Sequence, residues 1–102
     1  MYLNNQDIQL IRQYFSNKPV KRAYLFGSYA RHEADNNSDI DLLVELDYSQ
    51  HIGLGFVQMK FDLEEQLHKQ VDLVSSQAVS RHLLPFIEKD KQLIYVGLPS
   101  TP

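Results

Sequence analysis

The chain has 102 residues, 43% of them hydrophobic and 23% charged, with a formal net charge of −3 and no cysteine. That length suits one domain with one core, and the acidic balance argues against a chain whose main work is gripping a nucleic-acid backbone. The lack of thiols excludes disulfides and thiolate chemistry and fits a reducing compartment. Met1 to Gln6 lacks the basic and apolar regions of a signal peptide, and no apolar run approaches transmembrane length. A cytoplasmic protein without membrane contact is therefore expected.

In chain order, Ile8, Ile11 and Phe15 recur at helical spacing, widened by Leu10 and Tyr14, and predict a helix from Asn5 to Phe15. Asn4 or Asn5 can cap it, Asp7 suits its positive end, and Asn17-Lys18-Pro19 stops it. Arg22 to Phe26 reads as a short buried strand that ends abruptly at Gly27-Ser28, with a helical turn or two from Tyr29 to about Ala34. Asp35 to Ser38 is a turn, and Asp39 to Leu46 a second strand. After a loop from Asp47 to Gly53, a third helix is expected over Leu54 to Lys69, with Leu54, Val57, Phe61 and Leu67 inward. Val71 to Ser75 reads as a third strand. A fourth helix lies within Ala78 to Lys89, with Pro85 in its first turn or at a break, and Leu93 to Val96 as a last strand.

This alternation predicts an α/β (α+β) fold: one small mixed sheet of three to four strands with helices on one face, the other face being free to carry a site. One domain over residues 1–97 is expected, with 98–102 as a flexible tail.

Three features carry chemistry. Gly27-Ser28 stands where a strand passes into a helix; glycine permits a sharp turn and close approach to a ligand, and serine can cap the helix or offer its hydroxyl to a phosphate. Arg31 falls in the first turn of that helix, where a cation opposes the dipole, so it makes better sense beside a bound anion unless it simply reaches into solvent. Ser38-Asp39-Ile40-Asp41 places two carboxylates on one face of a strand, because residues two apart share a face. Such a pair is either a solvated acidic turn or a site for a hard cation such as magnesium, which takes oxygen ligands and completes its shell with phosphates and water. Asp72 is a lone acid within Val71-Asp72-Leu73-Val74. It either faces the same site or lies at an edge and pairs with a lysine such as Lys69. His32, His51, His68 and His82 do not cluster at metal-ligand spacing and read as surface or packing residues. Glu33, Glu45, Glu64 and Glu65 read as solvated faces, with Glu45 on the face of Asp41.

Taken together, Gly27-Ser28, ten residues, and Asp39-x-Asp41 resemble the signature of the polymerase β-like nucleotidyltransferases. The Leu42-Leu43-Val44 run and the later Val-Asp-Leu-Val strand extend the likeness to the minimal nucleotidyltransferase family over all but the tail. The resemblance implies that Asp39, Asp41 and Asp72 form a catalytic metal triad for two Mg²⁺ ions, with Mn²⁺ as a substitute. It implies that Gly27, Ser28 and Arg31 hold the triphosphate of ATP. Many members of that family are encoded beside a partner of the HEPN type, and several act as antitoxins to it. The activity this implies is transfer of AMP to a hydroxyl of a HEPN partner. The competing readings are an antitoxin that works by binding alone and nucleotidyl transfer to a small molecule.

Overall fold

The computed structural model describes residues 3–97; the expected tail at 98–102 lies outside the described residues. Eight elements follow one another: α1 (Asn5–Phe15), β1 (Val20–Phe26), α2 (Gly27–Ala30), β2 (Ile40–Leu46), α3 (Gly55–Leu67), β3 (Val71–Ser75), α4 (Leu84–Asp90) and β4 (Gln92–Val96). They build a four-stranded mixed sheet in the order β3-β2-β1-β4. β1 runs antiparallel to both β2 and β4, whereas β2 and β3 are parallel and are joined through α3, as a parallel pair requires a long crossover.

α1 matches its expected bounds because its signals are local. The Asn4 side chain accepts a hydrogen bond from the Asp7 amide at 2.7 Å, satisfying one of the orphan donors of the first turn. Ile11 and Phe15 are fully buried on its inner face. α2 is shorter than expected: it begins at Gly27 and ends at Ala30, and His32 then takes a left-handed φ of 62°. The turn that follows is the expected one, held by the Ser38 hydroxyl and the Asp35 carboxylate on backbone amides at 2.9 and 2.8 Å.

The main core lies between the sheet and the pair α1 and α3. Ala23 and Leu25 of β1, Ile40, Leu42 and Val44 of β2, and Val71 and Leu73 of β3 all face it. The inward stripe of α3 differs from the expected one. Leu67 is buried as expected, but Leu54, Val57 and Phe61 are 87%, 49% and 55% exposed, and Met59 and Leu63 fill the core in their place, with Phe56 packed beside them. Both sets have helical spacing, so periodicity alone could not choose between them.

The opposite face of the sheet is not wholly free. α4 crosses it and buries Ile87 against Phe26 and Leu43, with Tyr24, Val74 and Val79 around them. Pro85 sits in the first turn of α4, where its missing N–H is no loss. Asp41 and Asp72 belong to this second face by strand alternation, since their neighbours Ile40, Leu42, Val71 and Leu73 point into the main core.

Candidate functional site

β1 and β2 bring the first two features together. Phe26, the last residue of β1, is paired with Asp41 near the start of β2. Gly27 follows at once, with φ of +73°, a left-handed conformation that favours glycine. A Cβ on Gly27 would lie 3.0 Å from Cγ of Asp41 and closer still to its Oδ2. The glycine is thus needed twice, for the turn and for the space the carboxylate occupies. Ser28 lies inside the first turn of α2 and not at its cap. Phe26 holds the cap position in extended conformation, without a side-chain cap bond, which removes the plain N-cap reading of the serine.

Parallel pairing of β2 with β3 brings the third feature in. Asp41 stands in register with Asp72, one strand apart, and Asp39 immediately precedes β2. No ion pair joins Asp72 to Lys69 or to any other cation among the described residues. Asp41 is half-buried, and its carboxyl is pushed up to about 6, first by burial and then by the negative charges of Asp72 and Asp39; the Arg31 charge acts in the opposite direction. Among the described residues, no three His, Asp or Glu side chains converge tightly enough to enclose an ion as they stand. The donor set is nonetheless all carboxylate oxygen, which fits a hard divalent cation, and the mutual repulsion at Asp41 is what such a cation would relieve.

Arg31 is placed differently from expectation. It follows α2 as its C-terminal cap, and its guanidinium is held by two carboxylates: Nη1 reaches Asp90 at 2.6 Å and Nε reaches Glu33 at 3.2 Å. Asp90, at the end of α4, carried no sequence signal, being 59 residues away from its partner. Glu45 shares the face of Asp41 but is engaged by the Tyr24 hydroxyl at 3.1 Å and by Arg22 at 3.4 Å. Glu64 is not simply solvated: it accepts a hydrogen bond from the Val71 amide at 3.0 Å and anchors the start of β3. A cavity of about 930 Å³ lies at the other end of the sheet, lined by Lys18, Lys21, Arg22 and Asp47 among others. Val20 at that end and Phe26 at the carboxylate end mark the two limits of β1.

Among the described residues, no helix is long and apolar enough to cross a membrane. Residues 9–97 match the family model described as polymerase beta, nucleotidyltransferase. A candidate protein adenylyltransferase of Methanocaldococcus jannaschii is 47% identical over 60 residues, which are 59% of this chain and 63% of the relative, just under two thirds of its length. A solved structure described as a minimal nucleotidyltransferase superposes with a TM-score of 0.73 at 28% identity, over 85% of this chain and 88% of that one. A toxin–antitoxin structure with AMP-PNP gives a TM-score of 0.72 at 25% identity, over 95% of this chain and 76% of that one. With the glycine turn, the paired aspartates and the four-stranded mixed sheet in place, the chain belongs to the polymerase β nucleotidyltransferase family, and within it to the minimal nucleotidyltransferases.

Proposed function

We propose that this chain transfers AMP from ATP to a hydroxyl of a partner protein, and that the partner is a HEPN-type toxin which the modification neutralises. The single observation that carries the reading is the meeting of Gly27 with Asp41, and of Asp41 with Asp72, at one end of the sheet. The likeness to a candidate protein adenylyltransferase and to a toxin–antitoxin structure holding AMP-PNP supports the choice of substrate and partner.

Asp39, Asp41 and Asp72 would hold two Mg²⁺ ions, or Mn²⁺ in their place, which when bound neutralise phosphate charge and stabilise the entering and leaving oxygens. The bare turn at Gly27 lets the triphosphate approach the backbone, and the Ser28 hydroxyl donates to a phosphate oxygen. That work is positional and electrostatic. The acceptor oxygen forms a bond to the α-phosphorus in line with the bond to pyrophosphate, which breaks as pyrophosphate departs. Asp72, the more exposed member of the strand pair, takes the acceptor's proton. Loss of Asp72 should therefore harm transfer more than nucleotide binding.

A domain of this size encloses little of a nucleotide by itself, whereas small-molecule sites bury most of their ligand. The partner completes the site. The competing reading, neutralisation by binding alone, is separated by expressing the toxin with the native chain or with Asp39→Asn/Asp41→Asn. Loss of protection in the double variant, with the complex still forming, supports transfer; full protection by the double variant rejects it.

A further inference from the structure

The Arg31 guanidinium has five N–H donors. Glu33 takes the one on Nε and Asp90 takes one on Nη1, and Nη2 makes no hydrogen bond among the described residues. The two acceptors are unlike. The Glu33 side chain is 65% exposed, whereas that of Asp90 is 13% exposed and contacts Arg31 at 2.6 Å. Exposed pairs hold a side chain weakly; the Arg31 side chain is itself 44% exposed, and its charge-assisted bond to the more shielded Asp90 is the contact that restrains it most. The residue so fixed is one turn from the phosphate-loop glycine, because the Arg31 amide donates to the Gly27 carbonyl at 3.1 Å. A second tie runs beside the first, from Gln92 Nε2 to the Ala30 carbonyl at 3.1 Å. The end of α4 and the start of β4 therefore grip the end of α2 twice.

Resting on the nucleotide-transfer reading above, we propose that Asp90 is a positioning residue for the triphosphate: it holds Nη1 of Arg31 beside the Gly27 turn so that the unoccupied Nη2 donors of the guanidinium meet phosphate oxygens. Asp90 touches neither nucleotide nor acceptor. It acts through Arg31, restricting a long side chain that would otherwise lose rotamer freedom when the nucleotide arrives. It also lies at the end of a helix whose Ile87 packs on Leu43 and on Phe26, the residue that precedes Gly27 and pairs with Asp41.

Calorimetry with Mg-ATP on four full-length proteins tests this: the native chain, Arg31→Ala, Asp90→Ala and the double variant. Asp90→Asn, which keeps the shape, replaces Asp90→Ala should the latter lose its fold. Asp90→Ala is expected to weaken Mg-ATP about tenfold, the lower end of the scale for one hydrogen bond to a charged group, and to cost nothing further once Arg31 is absent. Unchanged affinity in Asp90→Ala, or the same loss with and without Arg31, overturns the positioning role and leaves a purely structural ion pair. A native chain that binds no Mg-ATP would remove the transfer reading itself, and this inference with it.

Discussion

Gly27, where β1 gives way to α2, lies against Asp41 of β2, and the space a Gly27 side chain would need is filled by the Asp41 carboxylate. A glycine turn and an acidic pair separated by ten residues are thus one structural unit. Gly27→Ala should destabilise the protein by about 2–4 kcal/mol, combining a left-handed φ of +73° with overpacking. In an Asp41→Ala background the carboxylate overlap is gone and only the Cβ at 3.3 Å remains close, so the cost should fall towards the conformational part, about 1–2 kcal/mol. Urea unfolding of the four proteins measures this; equal costs in the two backgrounds would show that the contact has no energetic weight.

The raised carboxyl of Asp41 links stability to pH. Its folded value of about 6 lies above the ordinary 3.8, so the folded state binds more protons than the unfolded state between those values. The charged form is therefore a burden that is fully present above about pH 6 and is relieved as pH falls towards 4. Without divalent metal, the melting temperature should rise on going from pH 7 to pH 5, against the background of the other groups. Asp41→Asn should flatten that portion of the profile, since an amide does not titrate. Parallel profiles for the two proteins would refute the assignment.

On α3, Leu63 is fully buried and Phe61 is 55% exposed. Leu63→Ala should cost about 2–5 kcal/mol through lost burial and a cavity, and Phe61→Ala about 0.5 kcal/mol or less. Denaturant titration that ranks them in the opposite order would mean that α3 is rotated about its axis.

What could be read from the sequence was local. Asn4, Asp7 and Pro19 bound α1, because caps and breakers act within a turn; Pro85 left open a first turn or a break, and the structure puts it in the first turn of α4. The shared face of the aspartates was legible because a strand alternates faces, whereas Gly27-Ser28 by itself reads equally as a helix cap and gains meaning only beside the acidic pair. The facing of α3 was not legible: two apolar stripes coexist on that helix, and only the sheet beneath decides which one is buried. The Arg31–Asp90 pair was also hidden, since nothing in a charge 59 positions away announces contact. Nor could the sequence show that α4 would cross the second face of the sheet. That depends on Ile87 finding Phe26 and Leu43, a tertiary choice.

The most direct test is the intact mass of a HEPN partner after incubation with this chain and Mg-ATP. The account predicts one or more added AMP groups with the native chain. It predicts none when the metal is chelated or when Asp39→Asn/Asp41→Asn is used, and in that variant the fold persists because removing like charges relieves repulsion. A partner whose mass is unchanged by the native chain, or is shifted equally by the double variant, would contradict it.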